Sequence, residues 1–317
     1  MENREQLEDR LHKYAGPDRI ISSHEIKKVL DNRVKKNISF KTGVPTIDRL
    51  LNNVEPGELI VVTGPTGNGK TTLLSTITQT VEEVAATNTL ERVKLTDTGL
   101  QVPLAWFSME VTYEQFLSKF GSNLPMFYMP RENTDDNIQW LIERIIEANV
   151  KYNVKMVFID HLHQIMSVDR FNGRNLSLEI GDIVAKLKQI AIQYNMVIWL
   201  IAHSTDDKDK ITREPKMTDV RDSGMIIRLA DVVMGVWRIP NHFSGRENKI
   251  EELSENDTKT KVRVWKNRRT GKLGSLVMNM ESGKLIEVPI EDDFGVFGKN
   301  KELEMRAARI KGLPYGN

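Results

Sequence analysis

The chain contains no cysteine. That removes disulfides, zinc–thiolate sites and a cysteine nucleophile, and it suits a reducing compartment, so the cytosol is the default location, with an organelle matrix as the alternative. No apolar run approaches the roughly 20 residues that a membrane helix needs. The opening MENREQLEDR is too charged for a signal peptide, and no membrane is expected among the partners. Neither sign of charge dominates: Lys and Arg number 45 against 44 Asp and Glu, so only local clustering can speak for or against nucleic acid. Internal repeats are absent as well. What remains is a chain of 317 residues, 39% of them hydrophobic, which is enough for one large soluble domain or two small ones.

The first stretch is charged and broken by Gly16-Pro17. Ser22 and Glu25 then form a candidate capping box ahead of Ile26, Val29, Leu30 and Val34, and this spacing predicts a short amphipathic helix at about 23–36. Leu59-Ile60-Val61-Val62 reads as a buried parallel strand running into Gly64, with a helix from Thr71 to about Val84 behind it. The polar stretch up to Gln101 reads as a solvent-facing insertion. Further strands are predicted at 103–108, 154–159, 197–202 and 231–237, with helices at 134–150 and 176–194. Strands alternating with helices predict an α/β fold with a central, mostly parallel twisted sheet and helices on both faces. Near the end, Lys261–Trp265 and Ser275–Met280 flank a turn with Thr270-Gly271, which predicts an antiparallel hairpin at the C-terminal sheet edge.

The chemistry concentrates at GPTGNGKT, Gly64–Thr71. The run satisfies G-x-x-x-x-G-K-[ST] between a predicted strand and a predicted helix, the setting in which such a loop cradles phosphates. Gly64, Pro65, Thr66, Gly67, Asn68, Gly69, Lys70, Thr71 and Thr72 are therefore candidate nucleotide-binding residues. Glycines let backbone N–H groups wrap the phosphates, Lys70 bridges the β/γ oxygens, and the Thr71 hydroxyl is a candidate Mg²⁺ ligand. ATP, or another NTP, with Mg²⁺ is the expected ligand set. Asp160, closing the strand MVFID, is the candidate carboxylate near the metal. A zinc site of Asp160, His161 and His163 is set aside, because alternate residues of a strand point to opposite faces. Glu110 follows a second strand at the same sheet edge and is the candidate group for activating water. His203, after VIWLIA, could hydrogen-bond the γ-phosphate. Between Lys259 and Lys272 stand seven basic residues and no acid. They suit a solvated hairpin, a nucleic-acid patch, or an arginine finger aimed at a neighbour's nucleotide.

The order TGVPTIDRLL, P-loop, FSME, FIDHLHQI, Ala202-His203, TDVRDSGMIIRLADVV and WKNRRTG, from about Thr42 to Pro289, resembles the RecA-like motor domain of DnaB-type hexameric replicative helicases. It looks nearest to the helicase half of phage primase–helicases and mitochondrial Twinkle. The resemblance implies an arm and linker helix over 1–38, a RecA-like motor over 39–298 and a charged tail over 299–317. It implies that Glu110 activates water, Asp160 holds the metal, His203 senses the γ-phosphate, and Arg268, supported by Lys266, acts on the adjacent subunit's nucleotide. Arg238 is implied near the base. Lys208, Lys210 and Arg213 are candidates for contacting single-stranded DNA, with Arg221 linking their loop to the ATP site. In that segment Asp222 stands where the phage group usually has glycine.

The implied activity is ATP-driven unwinding by a homohexameric ring moving 5′–3′ on single-stranded DNA, with a separate primase, polymerase or helicase loader as further partners. No primase or collar domain is seen ahead of the motor, so ring formation is expected to rest on the linker helix and the subunit faces. A RecA/RadA-like recombinase and a DNA-independent regulatory P-loop ATPase are the competing readings.

Overall fold

The computed structural model describes residues 4–16, 19–32, 38–85, 102–121, 124–132, 138–161, 176–204, 214–220, 223–239 and 259–288. Its centre is an eight-stranded sheet. Five of the strands are parallel: β2 (Leu59–Gly64), β4 (Leu104–Ser108), β5 (Met156–Asp160), β6 (Val197–His203) and β7 (Val232–Arg238). Each reads as a continuous apolar run because both of its faces are covered. Antiparallel β8 (Lys259–Asn267), β9 (Gly274–Glu281) and β10 (Lys284–Glu287) extend the sheet beyond β7, giving the order β10-β9-β8-β7-β2-β6-β5-β4. The expected fold class and the C-terminal hairpin are therefore present, with β10 as an additional edge strand.

Helices α3 (Pro45–Leu51), α4 (Lys70–Thr80) and α5 (Tyr113–Leu117) lie on one face, and α6 (Ile138–Tyr152), α7 (Leu176–Gln193) and α8 (Ser223–Leu229) on the other, each with its own apolar core. On the first face Trp106, Phe158 and Trp199 are register partners across β4, β5 and β6. The Trp106 and Phe158 rings stack at 4.7 Å, and Phe158 and Trp199 at 6.2 Å. Trp106 Nε1 donates to Thr78 Oγ1 on α4 at 2.9 Å, which fastens the helix behind the phosphate loop to the sheet. This buried aromatic row fixes where α4 begins relative to the strand ends.

Two elements depart from expectation at the N-terminal side. The helix expected to run to Val84 ends at Thr80, and residues Glu82–Ala85 form β3, antiparallel to β1 (Ile38–Lys41). Val81 is already extended, and β1 offers the residues after it a ladder that a solvent-exposed helix end lacks. Of the helix expected at 23–36, the described part is α2 (Ser23–Asn32), opened by the expected capping box: Glu25 N donates to Ser22 Oγ at 3.2 Å and Ser22 N to a Glu25 oxygen at 3.0 Å. A short helix α1 (Arg4–His12), which the sequence reading did not include, precedes it. The insertion at 86–101 and the tail at 299–317 lie outside the described residues.

The basic run around the hairpin does not form a uniform patch, because its counterions come from distant sequence. Lys261 and Arg263 pair with Glu214 at 2.8 and 3.0 Å. Arg269 reaches inward to Glu58 at 2.8 Å and Glu55 at 3.0 Å, and donates to the carbonyls of Leu51 and Asn53 at 2.7 Å each. It ties the hairpin turn to the segment that leads into β2. Arg268, half exposed, makes a looser 3.2 Å pair with Asp231. Arg269→Ala is expected to cost roughly 2–4 kcal/mol, since it leaves buried Glu58 without its charge partner. Arg268→Ala should cost about 1 kcal/mol or less. Urea denaturation of both variants, read as midpoint shifts at constant slope, checks the order; equal losses would contradict it.

Candidate nucleotide site

The phosphate loop leaves β2 at Gly64, where a Cβ would collide with the Val236 carbonyl oxygen of the neighbouring strand, so glycine is required there. Gly67 and Gly69 have φ of +75° and +93°, which lets the backbone curl back over the start of α4. Lys70, buried, donates to the Gly64 and Pro65 carbonyls at 2.9 Å each. Burial pushes its pKa down, and Asp160 and Glu110 push back in the other direction. Asn68 is buried and braces the loop: its Nδ2 donates to the Thr66 carbonyl at 3.0 Å and its Oδ1 accepts from Arg238 N at 2.8 Å. Arg238 closes β7 on this edge of the sheet, so the loop and the residue expected near the base are joined by one hydrogen bond.

Asp160 accepts from the Thr71 hydroxyl at 2.7 Å. Burial raises its pKa, and the Thr71 bond works against that rise. One buried carboxylate beside one hydroxyl at the mouth of a phosphate loop is a donor set of hard oxygens that fits Mg²⁺. Those two residues would hold the ion, and phosphate oxygens and water would complete its shell.

Glu110, His161 and His203 meet at the same edge, at the ends of the adjacent strands β4, β5 and β6. Each offers a ligand-type atom, and these atoms lie within 4.8 Å of one another. His161 Nδ1 stands 3.3 Å from a Glu110 oxygen, and the two imidazole rings meet edge to face with centroids 4.0 Å apart. Burial lowers the pKa of both histidines, with His161 adding to the effect on His203. Strand alternation had set His161 aside in the sequence reading. The chain has already left β5 at that residue, so the period-two rule no longer governs where the ring points.

Lys266 and Arg268 sit elsewhere. Asn267 pairs with Val232 at the start of β7, Arg268 N donates to the Asp231 carbonyl, and Asp231 N donates to the carbonyl of Leu59, the first residue of β2. Both basic residues therefore lie at the end of the sheet opposite the chain's own phosphate loop, a strand length or about 20 Å away. Lys266 Nζ donates to the carbonyls of Ile227 and Ala230 at 2.6 and 2.7 Å, capping α8, and burial lowers its pKa. Lys208, Lys210, Arg213 and Arg221 fall outside the described residues, as does His163. A separate cavity of about 640 Å³ between β4 and α6, lined by Tyr128, Trp140, Arg144 and Tyr152 among others, is not lined by phosphate-loop residues.

A family model described as the DnaB-like helicase C terminal domain matches residues 120–284, more than half of the chain. The chain belongs to this family. An ABC transporter family model also matches residues 47–157, the part that holds the phosphate loop and the first two residues of the strand ending in Asp160. Among curated relatives, the "Probable replicative DNA helicase" of Trieres chinensis is 24% identical over 276 residues, covering 77% of this chain and 55% of its own length. "Replicative DNA helicase DnaB" of Rickettsia conorii is 25% identical over 250 residues, covering 68% and 49%. The chain spans about half the length of the curated relatives it matches. Among solved structures, a chain described as an ATPase domain aligns with a TM-score of 0.61 at 14% identity, over 84% of this chain and 97% of that one. A DnaB-like replicative helicase studied with primase aligns at 0.58 and 14%, over 90% and 71%. These DnaB-type comparisons carry the family, and a nearer tie to Twinkle does not come from them.

If the loop lysine and Glu110 have the roles their positions suggest, two substitutions should separate binding from chemistry. Lys70→Ala should weaken ATP binding and reduce turnover by at least about 10²–10³-fold. Glu110→Gln should bind ATP within a few-fold of the parent and lose about 10²–10⁴ in kcat. Binding titrations with a fluorescent ATP analogue alongside phosphate-release rates check both, and a Glu110→Gln protein with near-normal kcat would move the base elsewhere.

Proposed function

We propose that this chain is the ATPase motor of a replicative DNA helicase, a homohexameric ring that moves 5′–3′ on single-stranded DNA. The observation that carries the reading is the separation within one chain. The phosphate loop, Asp160, Glu110 and His203 gather at one end of the sheet, while Arg268 and Lys266 gather at the other. A family of replicative helicases supplies the reason for such a split, since a neighbour's Arg268 completes each ATP site.

In this reading Lys70 and the loop amides neutralise the β- and γ-phosphates, and Arg238 borders the base. Glu110 takes a proton from the water that attacks the γ-phosphorus as the bond to the β–γ bridging oxygen breaks. Thr71 and Asp160 would hold Mg²⁺, which would supply charge neutralisation to the phosphates when bound. Arg268 of the adjacent subunit stabilises the charge that spreads over the transferred phosphoryl group, and Lys266 keeps the end of α8 and the base of that arginine in place.

His203 then reports loss of the γ-phosphate to the chain that follows it. The described part of that chain ends at Ser204 and resumes at Glu214, which is anchored to Lys261 and Arg263 on β8. The intervening Lys208, Lys210 and Arg213 are proposed to hold DNA phosphates, and Arg221 to join that loop to the site. Among the described residues no helix is long and apolar enough to cross a membrane, which suits a motor working in the cytosol. The α2 helix, with Ile26 exposed, is proposed to dock on the next subunit, and a separate primase, polymerase or loader to join the ring.

The test mixes two inactive proteins. Rings containing Arg268→Ala and Lys70→Ala subunits include some interfaces where an intact phosphate loop meets an intact arginine. ATP hydrolysis and unwinding of a 5′-tailed fork should therefore reappear in the mixture although neither parent shows them. A finger is worth about 10³–10⁵ in kcat, so the rescue stands well above background. An Arg268→Ala protein with normal DNA-free turnover but weakened, less salt-sensitive DNA binding would instead make the hairpin a DNA contact.

A further inference from the structure

The reading above gives Glu110 a demanding task and little support of its own. Its carboxylate is 46% exposed and lies beyond the end of β4. A carboxylate on a flexible exposed side chain samples several rotamers, whereas a base must stay within hydrogen-bond reach of one water. What fixes it comes from the next strand. Met109 N donates to the Asp160 carbonyl at 2.8 Å, which sets the backbone just ahead of Glu110. The His161 ring, 11% exposed, places Nδ1 3.3 Å from one Glu110 oxygen. The dipeptide Asp160-His161 thus holds Thr71 with one side chain and Glu110 with the other.

His161 is in turn packed edge to face against His203, with ring centroids 4.0 Å apart and planes at 87°. The three side chains cluster at the ends of β4, β5 and β6, their ligand-type atoms all within 4.8 Å of one another. The Nδ1 contact takes up one carboxylate oxygen and leaves the other for water. Any rotation of His203 toward a γ-phosphate must press on, or withdraw from, the ring on which Glu110 rests.

We propose that His161 is a positioning residue through which His203 sets the orientation of Glu110, so that the base is aligned only when the sensor engages the γ-phosphate. The inference rests on the roles given above to Glu110 and His203, and it adds a residue that acts through them.

The experiment measures ATP hydrolysis by the assembled protein with single-stranded DNA for four variants: His161→Ala, His161→Phe, His161→Asn and His161→Ala/His203→Ala. Removing the donor should lower kcat by about 10–100-fold, the usual loss when a group orienting a reactive residue is removed, with KM for ATP within about twofold. Phe keeps the buried ring and its contact with His203 while discarding the Nδ1 contact with Glu110, so it should be folded and as slow as Ala. Asn offers an amide N–H close to the Nδ1 position and should recover kcat to within about fivefold of the parent. The double variant should lose no more than the slower single, because the two act in series. A kcat within twofold of the parent for Phe, an Asn variant as slow as Phe, or losses that multiply in the double variant would each overturn the proposal. Glu110→Gln is run alongside. Normal turnover there removes the base assignment itself, whereas a dead Glu110→Gln beside normal His161 variants removes this inference alone.

Discussion

Parallel strands have two unlike ends, and this chain keeps its phosphate loop at one and Arg268 at the other. The loop that wraps phosphates must follow a strand and open a helix, because only a helix N-terminus presents free N–H groups and partial positive charge. That forces Lys70, Thr71, Asp160, Glu110 and His203 to the carboxyl edge of β2, β4, β5 and β6. The hairpin that follows β7 returns antiparallel, so β8 carries its last residues back to the amino edge, where Asp231 receives Arg268. No side chain spans that distance. Arg268 and the phosphate loop of one chain therefore do not meet.

The same sheet explains why the phosphate edge is well braced. Trp106, Phe158 and Trp199 stack across three strands and hold α4 by way of Thr78. Gly235 makes the matching concession on the other face: a Cβ there would overlap the Trp265 ring of β8. At the opposite edge the fastening is electrostatic. Asp231 accepts from Leu59 N and pairs with Lys188 and Arg268, while Arg269 and Glu58 lock the hairpin turn to the entry of β2. Arg268 therefore projects from a rigid root, which is the condition under which an arginine can stabilise charge in a neighbour without a large ordering cost.

Much of this was legible in the sequence because its signals are local. Leu59–Gly64 with GPTGNGKT behind it gives strand, loop and helix from apolar run and glycine spacing alone, and MVFID places Asp160 by strand length. Ser22 and Glu25 announced α2 through a capping box that is present in the structure. What local pattern could not carry were pairings across long sequence distances. β3 was hidden at the end of a helical run because its partner β1 lies some forty residues away, and the acids that neutralise Lys261, Arg263 and Arg269 stand at 214, 55 and 58. His161 was weighed only as part of a zinc site, and its place beside Glu110 and His203 was not legible because it sits one residue past the strand, where alternation stops being informative. Glu110 and His203 were candidates from their places after predicted strands, Arg268 was singled out by family resemblance, and the structure adds their relative positions.

The central claim is that one chain holds two half-sites and hydrolyses ATP only with a neighbour. Turnover per chain, measured across a dilution series from micromolar to low nanomolar with molecular mass read by light scattering or mass photometry at each step, tests this without any substitution. Turnover per chain should fall in step with the loss of the oligomer and approach background when the species present is a single chain. A single-chain species that hydrolyses ATP at the undiluted rate would contradict the account.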